Sequence, residues 1–167
     1  MKIYTKTGDT GETDLYDGTR TSKSDQIFDV LGSLDELSAH IGILIFHNNN
    51  NNNIFLRDIQ QTLLNIGSII ATPNPKEGQK LPMITLDNVL KIESEIDRMT
   101  EKLPPLTVFI LQGGTCMSES QAHVCRTVAR RSEREIIKYG NVDENIFKFI
   151  NRLSDYFFTF ARYANLK

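Results

Sequence analysis

A short segment near the amino terminus has the composition of a phosphate-binding loop. Residues 5–11 read Thr-Lys-Thr-Gly-Asp-Thr-Gly, which provides hydroxyl groups, one ammonium group and two glycines. Glycines allow the backbone to approach a phosphate chain closely, and the carboxylate of Asp9 is a ligand type that Mg²⁺ prefers. Two interpretations stay open, a phosphate site and an ordinary turn, because the chain contains no Walker A motif.

A row of arginines forms the second candidate site. Arg126, Arg130 and Arg134 recur every four residues, so they share one face of a predicted helix, and Arg131 lies beside them. Guanidinium groups in a row repel one another unless they are solvated or face an acidic partner or a bound anion. Because the guanidinium fork suits phosphate oxygens, the row indicates either an anion site or a solvated face with ion pairs one turn apart.

Polar residues also interrupt two apolar helical segments. Asn151 and Asp155 lie one turn apart in the last segment, and Asp35 lies between two leucines near the apolar face of the first. Buried polar groups need partners. Asp155 is therefore either a structural partner of the arginines or part of a ligand site, and Asp35 is expected to pair with a cation from another helix or subunit.

Helical periodicity dominates the rest of the chain. The predicted helices begin at about Asp25, Ile54, Thr85, Ser118 and Asp143, and the last four end near Ala71, Glu101, Tyr139 and Asn165. Residues 48–53 are all asparagine, which disfavours helix interiors, so they predict a solvated connection. Residues 107–111 are apolar and β-branched, and are either a strand or an extended loop. The fold class is therefore all-α, and the broad apolar faces suit either a core or a subunit interface.

Composition sets the outer limits. The chain has 167 residues and a formal net charge of −2, which predicts one domain and argues against a general nucleic-acid partner. Residues 1–24 form the predicted loop and 25–167 the helical bundle. No apolar run suggests a membrane span, and no signal peptide is evident. Two cysteines without a CxxC pair predict reduced thiols and a cytoplasmic protein, or an organellar one if a presequence preceded Met1. The three histidines lack metal-binding spacing and are predicted not to be ligands.

Five sequence motifs, in one order along nearly the whole chain, resemble the PduO-type ATP:cob(I)alamin adenosyltransferases. The motifs are KIYTKTGD at residues 2–9 with Gly11, GSLDEL at 32–37, FIL at 109–111 before two glycines, CRTVARRSER at 125–134 and NRLSDYF at 151–157. Two features depart from the family pattern: Gln112 stands where a proline commonly follows FIL, and residues 115–121 form a longer stretch than usual.

The resemblance implies a five-helix bundle with an N-terminal nucleotide-binding loop, assembling as a homotrimer with active sites between subunits. The implied reaction transfers the 5′-deoxyadenosyl group of ATP to the cobalt of cob(I)alamin and releases triphosphate, with Mg²⁺ as a cofactor of unassigned ligands. A cobalamin-dependent mutase or dehydratase would use the product.

The resemblance also implies site residues. The expected ATP contacts are Thr5, Lys6, Thr7, Gly8, Thr13, Asp14, Lys23, Arg130, Arg131, Ser132, Glu133, Arg134 and Asn151. Lys6 and Arg130 are the expected catalytic pair, because they would stabilise the departing triphosphate. On the cobalamin side, Phe109 would close the lower face of the corrin, and Arg126 would pair with Asp35 across the subunit interface.

Two other function classes stay open at this point. A non-catalytic carrier could bind ATP and corrinoid and deliver the cofactor to a client enzyme. A purely structural helical bundle would bind neither ligand. Turnover with triphosphate release separates the enzyme from the carrier, and ATP binding separates both from the structural bundle.

Overall fold

The computed structural model describes residues 2–4, 6–48 and 53–166. Within them lie five α-helices: α1 Gln26–His47, α2 Asn53–Ile70, α3 Leu86–Thr100, α4 Met117–Tyr139 and α5 Glu144–Ala164. One small antiparallel sheet joins β1, Glu12–Asp14, to β2, Arg20–Ser22. The predicted five helices are confirmed to within a residue or two at their ends, whereas the sheet was not predicted.

Local sequence signals set the helix ends. Asp25 accepts a hydrogen bond from the Ile27 N–H at 3.0 Å, and Asp143 accepts one from the Asn145 N–H at 2.8 Å, so each caps the start of its helix. Gly140 ends α4 with a φ of 64°, a left-handed conformation that glycine adopts at little cost.

The helices bury one continuous apolar core. α4 packs against both α1 and α5, α3 packs against α5, and α2 packs against α1. Phe149, Phe157 and Leu37 are among its largest fully buried side chains. By length and composition alone α1 could also cross a membrane, contrary to the sequence-based expectation, but its buried stripe of Leu34, Leu37 and Ile41 faces this core.

The sheet is fastened to the end of α2. The Tyr16 N–H donates to the Ala71 carbonyl at 3.0 Å, and the Asn74 N–H donates to the Asp17 carboxylate at 3.0 Å. Hydrogen bonds from Thr19, and then the one from the Asn74 N–H, lower the pKa of Asp17. The amino-terminal segment is therefore held beside the α1–α2 pair, where the sequence indicated only a loop.

The asparagine run is not solvated throughout. Asn48 is 8% exposed, its N–H donates to the Leu44 carbonyl at the end of α1, and its side chain donates to Asn53 Oδ1 at 3.1 Å. Asn53 is the first residue of α2. The predicted solvated connection is therefore wrong at Asn48, and the central part of the run, residues 49–52, lies outside the described residues.

Replacing residues 49–52 by Gly-Ser-Gly-Ser should leave turnover and the KM for ATP within about twofold of wild type. The replacement keeps the loop length, so the closure entropy is unchanged, and it removes no periodic apolar residue. Steady-state kinetics check this, with Asn48→Ala as a comparison that should lower the melting temperature. A large loss of ATP affinity in the Gly-Ser variant would mean that the run contacts the nucleotide.

Candidate functional site

The arginine row of α4 is divided between different roles. Arg130 and Arg134 are exposed, and the Arg134 guanidinium donates to the Arg130 backbone carbonyl at 3.0 Å. The Arg130 side chain makes no hydrogen bond or ion pair within the described residues. Its guanidinium is therefore available to an anion, as the anion-site interpretation requires.

Arg131 instead fits the interpretation of the arginine row as a solvated face with ion pairs. It forms an ion pair with Glu36 of α1, and His40 lies one turn further along, 4.0 Å from the second Glu36 oxygen. This acidic partner offsets part of the charge of the row. Arg131 is half exposed, so the pair leaves its guanidinium accessible beside Arg130.

Ser132 is a helix-packing residue in the protomer. Its side chain is fully buried and donates towards the Ser33 carbonyl of α1 at 3.0 Å and the Val128 carbonyl at 3.1 Å. The resemblance implied an ATP contact here, but the side chain has no exposed surface for one. The small hydroxyl instead allows α4 to lie close against α1.

α5 brings Asn151 next to α4. The Asn151 amide donates to Glu133 Oε1 at 2.7 Å, and its carbonyl oxygen accepts from Arg152 at 2.9 Å. Asn151 is exposed, so its amide remains accessible to a ligand. Asp155 is also exposed, and no ion pair joins it to the arginines across residues 2–4, 6–48 and 53–166, so the structural-pair interpretation is wrong within one protomer.

The amino-terminal segment folds around two cations. Arg20 donates to the Thr7 carbonyl at 2.8 Å and holds Asp14 at 3.1 Å, while the Lys23 ammonium donates to the Gly8 carbonyl at 2.7 Å. A Cβ on Gly8 would lie 2.9 Å from the Lys23 nitrogen, so a larger residue would displace the Lys23 ammonium from this carbonyl. Lys23 therefore shapes the loop rather than standing free.

Two other predicted ATP residues lie nearby. Lys6 is exposed and has a φ of 62°, a left-handed conformation that is uncommon for a residue with a side chain and occurs often at functional sites. Thr13 lies in the middle of β1, opposite Thr21. Thr5 lies outside the described residues.

The apolar segment before α4 is an extended loop. Phe109 is fully exposed, and Val108 and Leu111 are 69% and 94% exposed. The Thr115 N–H donates to Glu119 in the first turn of α4, which fixes the end of the loop. A run of exposed apolar side chains of this kind is typical of a surface that a ligand or partner covers.

Asp35 and Arg126 do not meet within one protomer. Asp35 is exposed and, with Tyr16 and Leu64, lines a mostly apolar cavity of about 290 Å³ between α1 and α2. Arg126 is half buried, and its Nε has no hydrogen-bond partner in the described part of the chain. A buried guanidinium nitrogen without a partner is costly, so this Nε needs a contact that the described residues do not provide.

His123 is a residue that the sequence analysis set aside. It is 4% exposed, it contacts the ring of Phe158, and neither ring nitrogen has a partner among the described residues. It lies one turn before Arg126, so helical spacing from the arginine row could have pointed to it.

Acidification should destabilise the protein through His123. Burial lowers its pKa, the charge of Arg126 lowers it further, and Glu119 opposes both. The unfolded chain, with a pKa near 6.5, then binds more protons than the folded one, so the free energy of unfolding falls as pH falls through and below 6.5. Thermal unfolding from pH 7.5 to 5.5 should show a falling melting temperature, and His123→Phe should weaken that fall while His47→Phe should not. An unchanged pH dependence in His123→Phe would contradict this.

No group of three or more His, Cys, Asp or Glu side chains able to hold an ion occurs in the part of the chain that the structure describes. Mg²⁺ usually keeps several waters and binds through substrate phosphates with one or two carboxylates. The described residues therefore leave the ligands of a Mg²⁺ ion unassigned.

Comparison with known proteins agrees with this arrangement. The sequence matches the cobalamin adenosyltransferase family over residues 3–164. It is 44% identical to the human corrinoid adenosyltransferase MMAB, covering 99% of this chain and 70% of the human protein. It is 36% identical to the corrinoid adenosyltransferase of Bacillus subtilis, covering 100% of this chain and 88% of that protein. A solved variant of the PduO-type ATP:corrinoid adenosyltransferase from Lactobacillus reuteri, complexed with cobalamin and ATP, has a TM-score of 0.88 and 36% identity, covering 98% of this chain and 93% of that chain. The chain therefore belongs to the cobalamin adenosyltransferase family.

Proposed function

We propose that this protein transfers the 5′-deoxyadenosyl group of ATP to the cobalt of cob(I)alamin, forming adenosylcobalamin and releasing triphosphate. The observation that carries the proposal is the exposed Arg130 on α4, which has no side-chain partner in the part of the chain that the structure describes; the loop bearing the exposed Phe109 leads into the same helix. A site for a polyphosphate and a site for a large apolar ring are thus joined by one helix. The family membership and the ATP- and cobalamin-bound Lactobacillus reuteri enzyme support the same pairing.

The protein need not supply a nucleophile. Cob(I)alamin is itself strongly nucleophilic, so its cobalt attacks the 5′-carbon of ATP as the bond to the triphosphate oxygen breaks. The residues of the site hold that carbon in line with cobalt. This positioning lowers the barrier because the two reactants no longer have to find the reactive geometry by diffusion. Asn151 and the exposed backbone of the amino-terminal segment provide donors for such positioning.

The departing triphosphate gains charge during the reaction, so cations placed beside it lower the barrier. Arg130 and Lys6 are exposed side chains suited to this task, with Mg²⁺ supplying further charge on the phosphate oxygens. Phe109 would cover the lower face of the corrin and exclude a lower cobalt ligand. Loss of that ligand makes the Co(II) form easier to reduce to the nucleophile.

The active assembly in this proposal is a homotrimer with sites between subunits. Among the described residues, Arg126 has a buried nitrogen without a partner, and the Asp35 carboxylate at the apolar cavity has no recorded cation beside it, so the two groups complement each other. Pairing between two copies would satisfy both and bring α4 of one subunit against the α1–α2 cavity of its neighbour.

An anaerobic assay with ATP and chemically reduced cobalamin tests the proposal. The visible spectrum should change to that of adenosylcobalamin as triphosphate accumulates in equal amount. Binding of both ligands without triphosphate release would favour the carrier, which could deliver cofactor to a client enzyme. No ATP binding at millimolar concentration would favour the structural bundle.

A further inference from the structure

A hydrogen-bond network of four side chains connects Asn151 of α5 with α3 and α4. Arg152 Nε donates to Glu93 Oε1 of α3 at 2.7 Å, and Arg152 Nη1 donates to Asn151 Oδ1 at 2.9 Å. Asn151 Nδ2 in turn donates to Glu133 Oε1 of α4 at 2.7 Å. A carboxylate therefore lies at each end of this hydrogen-bond network, with the guanidinium and the amide between them.

The two neighbours permit one orientation of the Asn151 amide. Turned over, its NH₂ group would face the donors of Arg152 and its oxygen would face the Glu133 carboxylate, so both hydrogen bonds would be lost. In the observed orientation one N–H and one lone pair of the exposed amide remain unused. These are the two groups that the amide can offer a nucleotide.

Arg152 is itself held by an ion pair with α3. Its Nε donates to Glu93, whose side chain is 37% exposed, and the pair joins α5 to α3. The charge of Glu93 therefore orients the guanidinium, and the guanidinium orients the amide. Glu93 lies outside every motif that indicated the family, so nothing in the sequence pattern assigned it a role.

We infer that Arg152 and Glu93 are positioning residues for ATP, acting through the Asn151 amide. The inference rests on the proposed function, because it takes Asn151 as an ATP contact. Its consequence is specific: weakening this hydrogen-bond network should raise the KM for ATP while leaving kcat at saturating ATP and the KM for cobalamin unchanged.

The experiment compares Glu93→Ala with Glu93→Gln in the full-length protein. Glu93→Ala should raise the KM for ATP about threefold to fivefold, the size expected for a partly exposed ion pair. Glu93→Gln keeps an acceptor for Arg152 and should restore most of the loss. In an Asn151→Ala background, Glu93→Ala should have no further effect on ATP, because the positioned group is absent.

A second carboxylate–guanidinium ion pair of α3 provides the control. Glu95 accepts from Arg98 at 2.7 Å within α3, so Glu95→Ala removes an ion pair near Glu93 in sequence without touching Asn151, and the KM for ATP should stay at the wild-type value. If Arg152 bound phosphate directly, Glu93→Ala would free its charge and lower the KM for ATP. That result, an unchanged KM, or an undiminished effect in the Asn151→Ala background would overturn the inference.

Equilibrium dialysis with ATP separates this inference from the proposed function. The same pattern of affinities should appear without cobalamin, so it needs no turnover. If the wild-type protein binds ATP but forms no adenosylcobalamin, the proposed enzymatic function is wrong. The ATP affinities of the variants would still test the positioning role of Arg152 and Glu93. Melting temperatures of all variants show whether a weakened affinity merely follows a loss of folded protein.

Discussion

Arg130→Ala is expected to lower turnover by 10²–10³ while the bundle stays folded. Loss of one charge-assisted donor to a departing triphosphate should cost on the order of 3–4 kcal/mol of transition-state stabilisation, the size seen when other transition-state donors are removed. Because the Arg130 side chain is exposed and has no partner among the described residues, its removal breaks no packing or ion pair. The melting temperature should therefore change little.

Single-turnover kinetics and thermal unfolding on the same preparation check this expectation. Arg57→Ala is a suitable control, because Arg57 is an exposed arginine on α2 and lies outside the arginine row. That variant should keep wild-type turnover. Wild-type turnover in folded Arg130→Ala would remove Arg130 from the catalytic assignment, and an equal loss in both variants would indicate a general effect of charge.

The helices were predictable because each carries its own periodic stripe and its own end signals. Asp25, Asp143 and Gly140 act locally, so a single sequence contains the information. The small sheet is different. Its strands have three residues each, too few for alternation to be visible, and Arg20 stabilises the pair through Glu12 on the opposite strand. The loop at 107–111 has strand-like composition, but in the described ranges the two strands present pair only with each other.

The candidate site was predictable in outline and not in its division of roles. Spacing put the arginines on one helix face, but the partner of each depends on what packs beside it. Glu36 of α1 pairs with Arg131, and the Ser33 carbonyl accepts from the Ser132 hydroxyl, whereas no side chain in residues 2–4, 6–48 and 53–166 pairs with Arg130. Contacts between helices distant in sequence leave no periodic signal, so only the assembled bundle reveals them.

The proposed subunit interface should weaken when either Asp35 or Arg126 is replaced by alanine. In the proposed trimer Asp35→Ala leaves the partly buried guanidinium without its counter-charge, and Arg126→Ala leaves the carboxylate unpaired against the apolar cavity. Such a defect is worth roughly 3–5 kcal/mol when the pair is fully buried. Each single variant should therefore dissociate more readily on dilution or lose turnover.

The double variant distinguishes a shared pair from two separate defects. Because both substitutions remove one interaction, the double variant should be less impaired than the sum of the single effects. Sedimentation and turnover of all four proteins measure the coupling, with Asp29→Ala as a control for an exposed carboxylate elsewhere on α1. Additive effects would show that Asp35 and Arg126 have different partners. A wild-type protein that is active as a monomer would show that activity needs no subunit interface. The buried Nε of Arg126 would then require a partner other than a second copy.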